Sequence, residues 1–351
     1  MGNLKELISQ IKHGDADAVM ICQQHLDNIA KPLGSLGKLE HLLCIIAGAT
    51  GTDKIDISKK CVLVYCSDNG VVDQGISQSD HTVTTNIAKS LANNHSSVCV
   101  MANACMADTF PIDVGMIDDV PEIRQCKIAN GTNDSTKEPA MTRKQAEDAI
   151  LIGINMVREK TQLGYKLIAT GEAGIGNTTT SSAVVSALLN LDPKLTTGRG
   201  SGLSDEGLKR KIKAINEGLS KNKPDFTDPI DILSKVGGFD IAAMCGTFLG
   251  GALTKTPIVI DGIISSVAAL CAYRLCPQVR DYMIPSHKSA EPAAKYIMEE
   301  LRLSPILDAG MRLGEGTGAV SLFPFLDMAV AVYNNAACFE DINVEQYRRL
   351  S

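Results

Sequence analysis

Residues 166–184 read KLIATGEAGIGNTTTSSAV. An apolar run ends in Glu172, glycines follow, and a helix-compatible stretch begins near Thr178. That is a strand, a tight turn and a helix in nineteen residues. Four other short runs have the same apolar character: CVLVYCSD (61–68), TFPIDVGM (109–116), TPIVIDG (256–262) and YMIPSH (282–287). Helical patterns lie between them, over about 84–104, 142–160, 178–189, 203–220 and 236–254 and up to Ala272, with Thr142 as an N-cap and the Gly- and Ala-rich 236–254 suited to close packing. Strands that are apolar throughout and alternate with helices imply an α/β fold with a parallel sheet covered on both faces. The helices at 16–30 and 36–48, before the first strand, and at 290–301 and 318–335, after the last, have no strands to alternate with. Those at the two chain ends are expected to form a separate helical layer or small domain. Residues 118–140 read as a polar, irregular, exposed excursion.

Ligands of such a sheet bind at the carboxyl ends of its strands. The strand exits are therefore informative: Ser67-Asp68-Asn69-Gly70, Asp113-Val114-Gly115, Gly171 to Asn177, Asp261-Gly262 and Pro285-Ser286-His287. The Gly171–Asn177 turn places backbone N–H groups at a helix start, which suits an anion. Asn177 and Thr178–Thr180 are candidates to cap that helix. The turn lacks the Gly-Lys-Ser/Thr of a P-loop and is not G-x-G-x-x-G. Glu172 beside an anion site suggests a ligand that also carries positive charge. MRLGEGTGAV (311–320) sets Glu315 between glycines ahead of a helix, and Arg312 is available to an acid. TTGRGSGLSDEGLKRK (196–211) reads as a ligand-covering loop followed by a helix bearing Lys211. PSHKSAE (285–291) offers Ser286 and Ser289 as donors.

Composition narrows the function. The 351 residues carry a net charge of −6 and no Trp, and aromatics make up 4%. Nucleic-acid surfaces and stacking platforms are thereby disfavoured. Eleven cysteines form no C-x-x-C and read as free core thiols in a reducing compartment. No His pair has zinc-finger spacing. The start has no apolar signal stretch, and Glu6 stands where lipidation at Gly2 needs Ser or Thr. The expectation is a soluble cytoplasmic protein without a membrane span. No G-x-S-x-G is present, which disfavours the hydrolases that use it.

KPLGSLGKLE (31–40), DNGVVDQGIS (68–77), GEAGIGNTTT (171–180), GRGSGL (198–203), VGGFDIAAM (236–244), IDGIISSVAAL (260–270), PSHKSAE (285–291) and RLGEGTGA (312–319) occur in this order. Together, over about residues 15–335, they resemble the nicotinate-nucleotide–dimethylbenzimidazole phosphoribosyltransferases. The resemblance implies transfer of phosphoribose from nicotinate mononucleotide to an aromatic base, giving an α-ribotide phosphate for a cobalamin lower ligand, and nicotinate. It implies a Rossmann-like large domain (56–319) and a small helical domain (1–55 with about 320–351), a homodimer, and no metal or organic cofactor. By motif position, Glu315 matches the general base and Glu172 a second active-centre carboxylate. Ala173, Gly174, Ile175, Gly176 and Asn177 match the phosphate loop, and Lys211 a site lysine. Ser289, Arg312 and Gly314 match positions lining the nucleotide site.

Two departures bear on the acceptor. Asn69 replaces a His common in the family. Ser79 fits the acceptor-binding pattern, but Ile87 stands where cobalamin-type relatives have Gln. A branch of the family couples phenol or p-cresol through oxygen and works as two paralogous subunits, so a phenolic acceptor and a heterodimer are the alternative reading. A support subunit without chemistry is disfavoured by the presence of both Glu172 and Glu315. Without the resemblance, a nucleotide-dependent oxidoreductase would be the guess, and the missing G-x-G-x-x-G argues against it.

Overall fold

The computed structural model describes residues 3–200 and 202–348; Gly2 and Ser201 lie outside them. The chain runs α1 (Leu4–Ile8), α2 (Ala16–Asn28), α3 (Lys38–Thr50), β1 (Lys60–Ser67), α4 (Thr82–Ala92), α5 (Ser97–Ala104), β2 (Ala107–Gly115) and β3 (Arg124–Gln125). It continues with α6 (Arg143–Gln162), β4 (Leu167–Ala173), α7 (Asn177–Leu189), α8 (Pro193–Thr196), α9 (Asp205–Asn222), α10 (Pro229–Val236) and α11 (Phe239–Thr254). Then come β5 (Ile258–Ile260), α12 (Ile263–Leu275), β6 (Met283–Pro285), α13 (Ala294–Leu301) and α14 (Thr317–Asn335).

The sheet has six strands in the order β3-β2-β1-β4-β5-β6, and every pairing is parallel. The direction of strand addition reverses between β1 and β4, so a crevice opens there at the carboxyl ends. Both faces are covered. In β1, Cys61, Leu63 and Tyr65 enter one core with α6, α7, α11 and α12. Val62, Val64 and Cys66 enter the other, with α2–α5 and α14. This period-2 division explains why the strands read as unbroken apolar runs. Of the terminal helices, α2, α3 and α14 share the second core with the sheet, while α1 and α13 pack into the first. The chain ends are tied directly, by Ala30 N–H to Ala337 O (2.9 Å) and Phe339 N–H to Asn28 O (3.1 Å). Eight of the cysteines are buried and three partly so, and none is in a disulfide. Among the described residues, no helix is long and apolar enough to cross a membrane.

Thr142 caps α6 in a reciprocal capping box with Gln145. Glycines let α6 and α11 touch: a β-carbon on Gly153 would lie 1.9 Å from Ala243 O, and one on Gly246 1.9 Å from Ile150 O.

Three expectations change. The stretch 84–104 is two helices, because Asn94 turns left-handed (φ 56°) and Ser96 starts a new N-cap. The helix expected from Val236 begins at Phe239; Val236 ends α10, and Gly237-Gly238 separates the two. Residues 118–140 contribute β3 and buried Val120, Ile123 and Ala140, and they fold onto the β1 exit through Thr132 N–H to Asp68 O (3.1 Å).

Candidate active site

The crevice beside β4 is built from the Gly171–Asn177 turn. Gly174 passes so close to β1 that a β-carbon would lie 2.5 Å from Ser67 O, and Gly176 is left-handed at φ 91°. Ile175 is pinned by its N–H to Thr84 Oγ1 (3.2 Å) and by Asn69 Nδ2 donating to its carbonyl (3.1 Å). Gly176 is the N-cap of α7, and no side chain caps that helix. The capping expected of Asn177 is corrected: its amide instead donates to Glu172 Oε2 and to Asp240 Oδ2 (3.1 Å). A thirteen-residue helix thus opens on the cleft without a side-chain cap; Asn177 N and Thr179 N turn back onto Gly174 O (3.3 Å) and Gly176 O (2.8 Å), and the positive end of the helix dipole favours an anion.

Lys211, on α9, is fully buried and donates to Thr178 Oγ1 (2.8 Å) and Gly198 O (3.2 Å). Burial lowers its pKa to about 8, with Glu291 pulling the other way. It makes no ion pair among the described residues, so an anionic ligand at the α7 start would supply its counter-charge. Gly200 N–H donates to Glu291 Oε1 (3.2 Å), which ties Gly200 to the loop before α13.

The other wall is the turn before α14. Gly314, Glu315 and Gly316 are all left-handed, at φ 91°, 61° and 97°. Glycine suits positions 314 and 316 because their own φ is positive, and of the three Glu315 alone carries a side chain in that region. The turn lies on β4, where a β-carbon on Gly171 would meet Glu315 O at 2.3 Å. It also covers Glu172, since one on Gly314 would lie 2.5 Å from Glu172 Oε1. Asp261, at the β5 exit, caps α14 by accepting from Ala319 N (2.9 Å) and Gly316 N (3.3 Å). This helix start therefore has a carboxylate on it, which that of α7 lacks.

The two site carboxylates are anchored in opposite directions. Glu315 Oε2 accepts from Val98 N (3.4 Å) in the first turn of α5, on one face of the sheet. Glu172 is held by Asn177 and, through it, by α11 on the other face. Burial raises both pKa values, and neighbouring carboxylates, Asp240 and Asp261 for Glu172 and Asp261 for Glu315, push the same way.

Glu172 to Asn177, Lys211, Ser289, Arg312, Gly314, Glu315 and Ile87 all line this one cleft. Ser79 does not line it, whereas Ser77 does. Arg312 lies exposed at its mouth. Ser286 spends its hydroxyl on Ile260 O (2.6 Å), and the His287 ring packs under Gly318. Sequence reading missed Asp240, Glu291 and the α5 amide. The first two lay inside quoted motifs, and the third exists only because the helix breaks at Asn94.

A family model described as phosphoribosyltransferase matches residues 11–344. The chain belongs to that family. The phosphoribosyltransferase is 47% identical to the nicotinate-nucleotide–dimethylbenzimidazole phosphoribosyltransferase of Acetivibrio thermocellus over 328 residues, 93% of each chain. It is 45% identical to the protein of that name from Ruminiclostridium cellulolyticum, over 99% of both. The crystal structure of CobT from Thermus thermophilus matches with a TM-score of 0.90 at 33% identity, over 94% of this chain and 100% of that one.

Proposed function

We propose that this phosphoribosyltransferase moves the 5-phosphoribosyl group of nicotinate mononucleotide to an aromatic base of the 5,6-dimethylbenzimidazole class, releasing nicotinate and an α-ribotide phosphate. The observation that carries this reading is the pair Glu172 and Glu315, anchored from opposite faces of the sheet next to a helix start without a side-chain cap and a buried, unpaired lysine. The names of the relatives point the same way.

The geometry suits the reaction. The phosphate takes the α7 start and Lys211, which fixes the ribose between the carboxylates. The bond from the anomeric carbon to the nicotinate nitrogen breaks, and its electron pair quenches the ring cation, so the leaving group needs no acid. Positive charge builds on the sugar, where ionised Glu172 stabilises it. The acceptor attacks from the side opposite the leaving group, turning a β-linkage into an α-linkage. Its proton passes to Glu315, a base made stronger by its dry position. The reaction balances with these groups alone, without a metal or an organic cofactor.

Ile76, Ile87, Leu203 and Leu313 give the cleft an apolar wall, which suits a flat ring held by shape. Ile87 also supports the second reading, in which the acceptor is phenol or p-cresol bonded through oxygen, because an apolar wall there asks nothing of a ring nitrogen. The reading further includes a homodimer, or a heterodimer with a paralogue in the phenolic case, a small helical domain of 1–55 with about 320–351, and residence in the cytoplasm.

Nicotinate release from nicotinate mononucleotide by the purified chain tests both readings. Release with dimethylbenzimidazole supports the first, and release only with phenol the second. Silence with every acceptor, relieved by adding a paralogue, would mean a support subunit.

A further inference from the structure

Asp240 is fully buried in the first turn of α11, yet the transfer reaction leaves it without a task. No lysine or arginine pairs with it among the described residues. Its Oδ1 accepts from Ile241 N (2.9 Å), and its Oδ2 accepts from Asn177 Nδ2 (3.1 Å), the same amide nitrogen that serves Glu172. One amide thus bridges two carboxylates. A third acceptor is close by: Asn69 Oδ1 is buried and has no partner. A β-carbon on Gly238 would lie 2.5 Å from Asp240 Oδ1 and 2.8 Å from Asn69 Oδ1, so both oxygens border the same small space. Two carboxylates sharing one amide donor, beside a buried amide oxygen with none, call for a proton.

Resting on the reading of Glu172 as the carboxylate beside the cationic nucleotide, we infer that Asp240 is a positioning residue which, through Asn177, shares one proton with Glu172, and that nucleotide binding expels this proton to solvent. The free site then avoids two buried like charges a side chain apart. The pyridinium of the nucleotide arrives as the missing counter-charge, the proton leaves as H⁺, and Glu172 is left ionised for the transfer step. The other charged groups facing the pair are Asp68 from the β1 exit, Asp261 from the β5 exit and Glu315 from the turn before α14. All are acidic, so each raises the proton affinity of the pair. Burial pushes Asp240 itself up to about 6, and Glu172 well above its usual range.

The test is calorimetric titration of nicotinate mononucleotide at pH 6–7 in buffers of different ionisation enthalpy, which counts protons released on binding. The wild-type chain is compared with Asp240→Asn. The Asp240→Asn amide mimics the protonated acid and can donate to Asn69 Oδ1, so the fold is expected to survive. The ligand phosphate contributes equally to every variant, and the difference is the readout. Asp240→Asn should release fewer protons by about half to one, with an affinity that weakens less on acidification. An unchanged proton count in Asp240→Asn overturns the inference while leaving the transferase reading intact. Should the variant not fold, Asp240→Ser removes the same second carboxyl and is scored identically. No binding of the nucleotide by the wild-type chain would remove the parent reading and this inference with it.

Discussion

At the residue scale, the site turns on side chains whose surroundings are incomplete without ligand. Glu315→Gln keeps the Val98 contact and removes the base, so nicotinate release should fall about 10²- to 10⁴-fold with little change in nucleotide KM. Lys211→Met should do the reverse. Loss of a charge-assisted hydrogen bond worth ~1.5–3 kcal/mol raises nucleotide KM about 10- to 100-fold and leaves kcat nearly intact. A matched fall in kcat with unchanged KM would place Lys211 outside the phosphate site. Glu172, Glu315 and Lys211 were legible because a charge beside glycines at a strand exit, or on the helix after a glycine-rich loop, is conspicuous. Asp240 was not. It sits in VGGFDIAAM, where small and apolar neighbours read as packing, and only the fold shows that its carboxylate meets Asn177.

At the scale of elements, close backbone approaches separate stability from chemistry. Gly153→Ala drives a methyl into α11, where the nearest atom is a carbonyl that cannot give way. It should cost about 1–3 kcal/mol and lower the melting temperature by about 2–6 °C, with the activity of the remaining folded protein unchanged. Gly171→Ala instead presses on the Glu315 carbonyl, and kcat should drop more than thermal stability accounts for. Melting curves and single-turnover nicotinate release on both variants distinguish the two effects. The same scale shows where sequence reading fails. β1 and β4 were visible as long apolar runs, but β3 has two exposed residues and no pattern. The break between α4 and α5 rests on one left-handed Asn inside a helical periodicity, yet it creates the amide that holds Glu315.

For the whole molecule, the charge layout predicts the pH response. Glu172 and Glu315 have raised pKa values, so kcat/KM for the nucleotide should decline on acidification at a pH above the ordinary carboxylate range, as both become protonated. Lys211, charged below about 8, should lose its hold on phosphate as pH rises through that value in the free enzyme. A bell-shaped profile whose alkaline limb vanishes in Lys211→Met is the expected outcome. The sheet order was legible only as a class. Alternating helices and apolar strands announce a parallel sheet, while the reversal between β1 and β4 emerges from pairings that no local pattern encodes.

The joined chain ends have a consequence for how the enzyme is made. Glu315 hangs from α14, and the segment after α14 reaches back to pair with residues 28–30. During synthesis the phosphate turn, Lys211 and the sheet can all assemble while the ribosome is still building the last helices. Glu315 cannot, because its turn follows β6 and leads into α14, which covers the sheet last. One late segment therefore closes the cleft and delivers Glu315 together, so a chain cut before it should show neither nicotinate release nor a completed nucleotide pocket.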